Sequence, residues 1–335
     1  MPTPIRSAVV GLGQSGGPLH ADPMHTQPEL FALTAVCDLR EDVLNAATAR
    51  YGCQGYQDVN ALLANPDIEL VSLALPTFMH HDFALKALRA GKHTVVEKPM
   101  VMTARDADDL IAAATANRVL LTTYQNRRYY RCFRKVQEIL AAGTLGHVFR
   151  YETGAYGWGG KRPPRDAWRH LTGTGGSPIW DFGAHLVDEA LVLFPNPVAV
   201  MGEAHRVFRP DEEDRYRITL FYADDLVVEV GSGAGDKFPG WRYHILGSRG
   251  SLKMEPGNEW GEMTVVLDGE GGDQTLKPKD PTGSILDAGQ RYYRTVHAAL
   301  RENAPVAVPP ALSRQVVAIL EGALRSAATK TLVRL

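Results

Sequence analysis

Runs of consecutive apolar residues alternate with amphipathic segments through the first 123 residues. Such runs are typical of strands buried on both faces of a parallel sheet. The runs predict strands at 5–10, 31–37, 68–74, 94–96 and 119–123. Between them, apolar residues at helical spacing predict helices at 41–51, 80–90 and 106–117. This alternation predicts an α/β fold with a doubly wound parallel sheet.

After residue 146 the pattern changes to strands joined by hairpin-like turns, at 148–153, 215–222, 226–231, 241–247 and 264–267. The remaining amphipathic segments predict helices at 132–142, 182–193, 287–302 and 311–328. We expect the helices 182–193 and 287–302 to cover one face of a large, mostly antiparallel open sheet. The pattern therefore predicts two domains, 1–123 and 124–335, the second an α+β domain whose last helix lies near the first.

Composition narrows the classes of function. A chain of 335 residues is longer than one typical core and suits two domains. A formal net charge of -2 gives no reason to expect nucleic acid or a membrane surface as a partner. Cys37, Cys53 and Cys132 lack metal-binding or disulfide spacing. We therefore expect no metal site and a reducing, cytoplasmic location.

A glycine-rich segment, Gly11-Leu12-Gly13-Gln14-Ser15-Gly16, follows the first strand. In G-x-G-x-x-G the first glycine permits a tight turn, the second lets a pyrophosphate approach, and the third allows close helix–strand packing. Asp38 ends the second strand, where a carboxylate accepts hydrogen bonds from the ribose hydroxyls of NAD. Asp38 also fits the N-cap of the next helix. Arg40 could receive a 2′-phosphate, so the sequence favours NAD and leaves NADP as the alternative.

The fifth strand ends in Glu97-Lys98-Pro99. Pro99 cannot donate a ladder hydrogen bond, so the strand should stop there. Lys98 would then lie at the carboxyl end of a parallel strand, where open α/β sheets bind ligands. It could give a proton or a positive field to a reacting oxygen. The alternative is a solvated strand end with a local Glu97–Lys98 pair.

A second glycine-rich segment, 173–176, leads into a helix that carries Asp181 and His185. Four residues apart, the two side chains lie on one face of a helix. Histidine is the usual general base for an alcohol proton, and a carboxylate can hold hydroxyls or orient the imidazole. The alternative makes Asp181 an N-cap or first-turn acid and His185 a buried structural residue.

Loops before that helix carry side chains suited to lining a sugar site: Tyr156, Trp158, Arg169 and His170. Aromatic rings suit the apolar faces of sugars, and an arginine can bind hydroxyls or a carboxylate. Ordinary loop packing is the alternative for each of them.

Together these segments resemble the Gfo/Idh/MocA family of oxidoreductases over nearly the whole chain. The resemblance is carried by the glycine-rich segment, Asp38, Leu75-Pro76-Thr77 with His80, Ala90-Gly91-Lys92-His93, Glu97-Lys98-Pro99 and the D-x-G-x-H of 181–185. Asn126-Arg127-Arg128 and residues 175–194 are most similar to the inositol dehydrogenase-like branch. The resemblance implies an NAD(P)-binding Rossmann domain followed by a domain with an open sheet. It also implies oxidation of a sugar, polyol or sugar derivative by a homodimer or homotetramer built on that sheet.

The resemblance further implies roles for single residues. Lys98 would contact the reacting oxygen and the cofactor, Asp181 would bind substrate, and His185 would be the catalytic acid–base. The resemblance also implies a cofactor-binding set. It contains the glycine-rich segment residues Gly11, Gly13, Gln14, Ser15 and Gly16, then Asp38 and Arg40, and further along the chain Leu75, Pro76, Thr77, His80, Glu97, Lys98 and Asn126. Ser177-Pro178-Ile179-Trp180 departs from the small or aliphatic residues of relatives, so we expect a substrate pocket of different shape.

Two other functions suit the same family. An NAD-dependent glycosidase would oxidise its substrate transiently, eliminate and re-reduce, with no net change in the cofactor. A nucleotide-sensing regulator would bind the dinucleotide without catalysis. Lys98, Asp181 and His185 together favour the dehydrogenase over the regulator, since a sensor needs no such set.

Overall fold

The computed structural model describes residues 3–156, 168, 173–209, 212–237, 240–255, 263–267, 273–276 and 284–335. The chain forms two compact units. The first contains Met1–Tyr129 and Ser284–Gln315, and the second contains Tyr130–Gly283 and Val316–Leu335. This division differs from the expected single boundary after residue 123, because the segment 284–315 returns to the first unit.

The first unit is built around six parallel strands in the order β3-β2-β1-β4-β5-β6. The strands are β1 (Ile5–Val10), β2 (Phe31–Cys37), β3 (Gln54–Tyr56), β4 (Leu70–Leu73), β5 (His93–Val96) and β6 (Leu121–Thr123). The intervening helices are α1 (Asp22–His25), α2 (Glu41–Tyr51), α3 (Val59–Ala64), α4 (His80–Arg89) and α5 (Ala104–Asn117). This is the strand order of a dinucleotide-binding sheet, and the predicted doubly wound parallel sheet is confirmed.

The remaining elements of the described residues begin with α6 (Arg131–Ala141), β7 (Val148–Tyr156) and α7 (Pro178–Leu193). Seven further strands follow: β8 (Ala199–His205), β9 (Arg215–Phe221), β10 (Val227–Gly233), β11 (Tyr243–Gly247), β12 (Gly250–Met254), β13 (Met263–Leu267) and β14 (Asp273–Leu276). The chain ends with α8 (Ile285–Arg301), α9 (Pro310–Thr329) and β15 (Val333–Arg334).

Helix α8 packs in the first unit, whereas the sequence predicted that it would cover the second sheet. Its Tyr292 and Tyr293 are buried in one hydrophobic cluster with residues of β1, β2 and β5. The Phe31 and Tyr293 rings meet edge to face with centroids 5.6 Å apart. The apolar face of a helix does not specify which sheet receives it, so the expectation for 287–302 was wrong.

The second unit contains a sheet of nine described strands in the order β14-β13-β12-β11-β7-β10-β9-β8-β15. Within it β7 and β10 pair in parallel, and the other pairs are antiparallel. Side chains alternate between the two faces, as in any strand. Tyr216 faces α7, where a Cβ added to Gly183 would lie 3.2 Å from the tyrosine oxygen. The prediction of a large, mostly antiparallel open sheet is confirmed.

None of the helices in the described part of the chain combines the length and the apolar character that a bilayer span requires.

Candidate active site

The carboxyl ends of five parallel strands lie in register along one edge of the first sheet. Val10 pairs with Cys37 on one side and Leu73 on the other, Leu73 pairs with Val96, and Val96 pairs with Thr123. Each cofactor-binding residue predicted from the sequence follows one of these ends: Gly11, Gly13, Gln14, Ser15 and Gly16 after β1, Asp38 and Arg40 after β2, Leu75, Pro76, Thr77 and His80 after β4, Glu97 and Lys98 after β5, and Asn126 after β6. The fold therefore brings all of them to the ligand-binding edge of the sheet.

The three glycines of the first loop are in different surroundings. Gly11 has a φ of +86°, and a Cβ there would lie 2.5 Å from the Ala74 carbonyl oxygen. A Cβ on Gly16 would lie 1.8 Å from the Gly11 carbonyl oxygen. Around Gly13, by contrast, no described heavy atom outside Gly13 and its two chain neighbours lies within 4 Å of the Cβ position. The first and third glycines close the turn, and the second leaves open space beside the backbone, as the G-x-G-x-x-G pattern requires.

Asp38 links the end of β2 to this loop. Its Oδ2 accepts a hydrogen bond from the Leu12 backbone N–H at 2.8 Å, and its Oδ1 accepts one from the Arg40 backbone N–H at 3.0 Å. The Arg40 guanidinium lies 3.2 Å from the same Oδ1. Burial raises the pKa of Asp38, but the hydrogen bonds from Arg40 and Leu12 outweigh burial and leave it below its usual value. The carboxylate is therefore ionised and oriented.

His80 joins the loop after β4 to the loop after β5. Its Nδ1 lies 2.8 Å from the Pro99 carbonyl oxygen and its Nε2 lies 2.9 Å from the Leu75 carbonyl oxygen. Burial lowers the pKa of His80 although both carbonyls favour its protonated form. Beside it, Thr77 is buried and begins a short 3₁₀ turn, Thr77–Met79. His80 therefore fixes the wall of the predicted cofactor pocket.

The Glu97-Lys98-Pro99 segment follows β5 and contains a cis Lys98–Pro99 peptide bond. Glu97 is only 6% exposed, so it is not part of a solvated strand end. Its Oε2 accepts the Lys98 backbone N–H at 2.9 Å, and its Oε1 lies 3.2 Å from His20 Nε2. Burial raises the pKa of Glu97, but His20 and Lys98 lower it to a net value below the ordinary one.

His20 is a site residue that sequence reasoning missed. It lies on a π-helical turn, Gly16–Ala21, immediately after the glycine loop. The contact with Glu97 joins residues 77 positions apart, which no local pattern reveals. The only available signal was a histidine in a segment that otherwise reads as the start of an apolar helix.

In the second unit, Asp181 and His185 lie on α7, whose N-cap is Ser177. Asp181 is therefore a first-turn residue and not the N-cap. Its backbone N–H donates to the Ser177 carbonyl oxygen at 2.9 Å. His185 is buried, one helical turn further on. Their spacing places both on one face of α7, as the sequence predicted.

The same helix is held to its sheet by a buried ion pair. Glu189 lies one turn beyond His185, and its Oε1 and Oε2 lie 2.8 and 3.0 Å from Arg242 Nη2. The two side chains are 0% and 3% exposed. Arg242 Nη1 donates to Thr153 Oγ1 at 2.7 Å, and the Tyr243 hydroxyl donates to Glu189. These contacts fix the part of α7 that follows Asp181 and His185.

Comparison with known proteins agrees with both units. Residues 5–125 match the model of the oxidoreductase family with an NAD-binding Rossmann fold, and residues 133–253 match the GFO/IDH/MocA C-terminal domain. The chain belongs to the GFO/IDH/MocA family. The predicted family is confirmed, and the first unit contains an NAD-binding Rossmann domain.

Relatives of this GFO/IDH/MocA protein cover its whole length. An uncharacterized oxidoreductase of Schizosaccharomyces pombe is 31% identical over 99% of both chains. The scyllo-inositol 2-dehydrogenase (NADP(+)) of Bacillus subtilis is 26% identical over 99% of this chain and 96% of its own. A solved oxidoreductase structure from Bacillus subtilis is 25% identical and has a TM-score of 0.88, over 99% of this chain and 98% of that one.

Tyr156 does not lie on a loop before α7, where the sequence predicted it. It is the last residue of β7 and not part of a loop. Pairing aligns it with Arg215 and Gly233, on the face opposite Tyr216 and therefore away from α7. The Arg215 guanidinium lies 4.7 Å from its ring centroid. Tyr156 thus packs on the outer face of the sheet, and its expected position on a loop was wrong, while its role in lining the substrate site stays a prediction.

The other three expected substrate-lining residues, Trp158, Arg169 and His170, lie outside the described residues.

Among the described residues, one group of side chains has the spacing of metal ligands. Ligand atoms of His81, Asp106 and Asp109 lie within 4.8 Å of one another on α4 and α5. His81 Nε2 lies 3.6 Å from Asp109 Oδ2, and the two side chains are 27% and 55% exposed. Partly exposed clusters of this kind are common on protein surfaces without a bound ion.

Proposed function

We propose that this protein is an NAD-dependent dehydrogenase acting on a secondary alcohol of a sugar, inositol or sugar derivative. The observation that carries the proposal is the edge of the first sheet, where the glycine loop, the ionised Asp38 and Lys98 follow strand ends in register. The substrate class is supported by the relative in Bacillus subtilis, which is named as a scyllo-inositol dehydrogenase.

The residues at this edge suit a dinucleotide. The space at Gly13 suits the pyrophosphate, and the Asp38 carboxylate can accept hydrogen bonds from both ribose hydroxyls. Arg40 is already paired with Asp38, and a negative charge at that place disfavours a 2′-phosphate. We therefore propose NAD as the preferred cofactor, with NADP as the weaker alternative.

Each catalytic residue would have one task. His185 accepts the proton of the substrate hydroxyl as general base. Lys98 provides a fixed positive charge at the oxygen on which negative charge develops. Asp181 accepts hydrogen bonds from substrate hydroxyls and so orients the reacting carbon. The nicotinamide, when bound, supplies the hydride acceptor.

The test is reduction of NAD, followed by absorbance over a panel of inositols, aldoses and sugar acids, and repeated with NADP. Lys98→Met should lower kcat by about 10²–10³-fold, as loss of one charge-stabilising donor does. Affinity for NADH, measured by fluorescence, should change only a few-fold. Lys86→Met is the matched control, because Lys86 is an exposed lysine on α4 of the same unit.

Three outcomes would contradict the proposal. Unchanged turnover in Lys98→Met would remove the catalytic role of Lys98. Product formation without net reduction of NAD would indicate the glycosidase. Tight binding of NADH without turnover of any polyol or aryl glycoside would indicate the nucleotide-sensing regulator.

We also propose that the protein forms a homodimer or homotetramer through the outer face of the second sheet. Met201 on β8 and Val266 on β13 point to that face and are 43% and 40% exposed. Light scattering after size exclusion should give a dimer or tetramer, and Met201→Lys with Val266→Lys should shift it toward monomer. A monomeric native protein would contradict this proposal.

A further inference from the structure

A connected set of buried polar groups leads to the residue before Lys98. His20 Nε2 lies 3.2 Å from Glu97 Oε1, and His20 Nδ1 lies 2.6 Å from the Tyr293 hydroxyl oxygen. That oxygen lies 2.9 Å from Ser72 Oγ. Ser72, His20 and Tyr293 are fully buried, and Glu97 is 6% exposed. These four residues form the buried network.

One arrangement of hydrogens satisfies the whole buried network. The Glu97 carboxylate only accepts, so His20 donates from Nε2. In the tautomer with a bare Nδ1, the ring accepts there from the Tyr293 hydroxyl. The Tyr293 oxygen accepts in turn from the Ser72 hydroxyl. The other Glu97 oxygen accepts the Lys98 backbone N–H. Both carboxylate oxygens are thus fixed, one by His20 and one by Lys98.

The buried network joins four separate elements of the first unit. Ser72 lies in β4, Tyr293 lies on α8, His20 lies on the turn after the glycine loop, and Glu97 follows β5. Hydrogen bonds in a buried network depend on one another, so losing one member loosens the others. A change at Tyr293 should therefore be felt at Glu97 and at the backbone of Lys98.

We propose that His20 and Tyr293 are positioning residues for Lys98, acting through Glu97. The inference rests on the proposed dehydrogenase function, in which Lys98 stabilises the developing alkoxide. A displacement of about 1 Å at a charge-stabilising group is enough to slow catalysis strongly. The network contains no residue of the glycine loop 11–16 and does not contain Asp38, so the loss of one of its hydrogen bonds should affect turnover more than dinucleotide affinity.

Two adjacent tyrosines on α8 provide a matched test. Tyr293→Phe removes the hydroxyl that contacts His20 and Ser72 and keeps the ring. Tyr292→Phe is the control, because Tyr292 is equally buried but its hydroxyl contacts Thr122 Oγ1 at 3.4 Å and not the network. Ser72→Ala, at the far end of the network, is a second test variant in case Tyr293→Phe fails to fold.

Each variant is measured in two ways. The first is the NMR signal of ¹³C-dimethylated Lys98, assigned by its absence in Lys98→Arg, which reports on Lys98 without any turnover. The second is kcat with the affinity for NADH. Tyr293→Phe should move the Lys98 signal and lower kcat about tenfold, the effect of one lost buried hydrogen bond, with NADH affinity unchanged within about twofold. Tyr292→Phe should match the native protein in both.

The outcomes separate this inference from the proposed function. If Tyr293→Phe lowers the melting temperature but changes neither the Lys98 signal nor kcat, the network is only structural and the inference is overturned. A moved signal with unchanged kcat overturns it as well. If the native protein turns over no substrate, the proposed function fails. In that case an unmoved Lys98 signal in Tyr293→Phe would still overturn the inference that the network positions Lys98.

Discussion

The carboxylate of Asp38 accepts a hydrogen bond from the backbone N–H of Leu12 at 2.8 Å, which joins the end of β2 to the glycine loop after β1. The same carboxylate also holds Arg40. One residue therefore orders the loop, positions a cation and leaves acceptor capacity for a ribose. These three tasks make Asp38 the residue at which cofactor choice can be tested most directly.

Asp38→Ser should weaken NADH binding by about ten- to a hundredfold, because charge-assisted hydrogen bonds to the ribose are lost. NADPH should lose less or gain, since Arg40 is released to meet a 2′-phosphate. The dissociation constant of NADPH divided by that of NADH, both measured by fluorescence titration, should therefore fall. Asp42→Ser, an exposed acid on α2 close to Arg40, is the control. An equal loss for both nucleotides would mean that Asp38 only orders the loop.

Two glycines of one loop should respond differently to the same change. Gly13→Ala places its methyl group in open space, so the free energy of unfolding should stay within about 0.5 kcal/mol while NADH affinity falls at least about tenfold. Gly16→Ala places its methyl group 1.8 Å from the Gly11 carbonyl oxygen, and should destabilise by about 3 kcal/mol or more. Urea unfolding with NADH titration checks both. Normal NADH binding in Gly13→Ala would show that the pyrophosphate does not approach there.

Much of this edge could be predicted because its signals are local. The bounds of β1 and β2 agree with the predicted strands. Gly11 and Asp38 each lie directly after an apolar run, and Lys98 lies two residues after one. Parallel strands then place such residues together wherever they are in the chain. The position of the loops at the carboxyl edge follows from the same rule.

The errors concern contacts that a local pattern cannot encode. Tyr292 and Tyr293 give α8 an apolar face that suits either sheet, so the sequence did not assign it to the first unit. The predicted strand stopped at residue 153, whereas β7 continues to Tyr156, and those three residues decide which face the Tyr156 ring meets. His20 and Glu97 are brought together only by the completed fold.

The buried pair Glu189–Arg242 should matter far more than an exposed pair of the same unit. Glu189→Gln leaves a buried guanidinium without its charge partner and should cost about 3–5 kcal/mol. The double variant Glu189→Leu with Arg242→Met should lose less free energy of unfolding than the sum of the losses in Glu189→Leu and Arg242→Met alone, because no unpaired charge remains. Arg206→Met is the control, since Arg206 is 54% exposed in its pair with Glu213 and should cost under about 1 kcal/mol. If urea unfolding shows that the loss in the double variant equals the sum of the losses in the two single variants, Glu189 and Arg242 are not coupled.

Glu69 allows a test of pH dependence in the first unit. Its Oε2 accepts the Arg6 backbone N–H at 3.0 Å, and its Oε1 lies 2.8 Å from Arg301 of α8. Burial raises the pKa of Glu69, but the hydrogen bonds from Arg6 and Arg301 lower it to a net value below the ordinary one. The ionised form therefore favours the folded state.

The sign of the effect follows from that direction. Stabilisation by Glu69 should be complete above about pH 4.3, the pKa of an unfolded-chain glutamate, and should be lost as the pH falls through the lower native pKa. Glu69→Gln should cost about 1 kcal/mol at pH 7, and the difference from the native protein should shrink in acid. Urea unfolding between pH 7 and pH 3 measures it, with the exposed Glu29→Gln as control. A difference that stays constant down to pH 3 would show that packing around Glu69, and not its charge, carries the contribution.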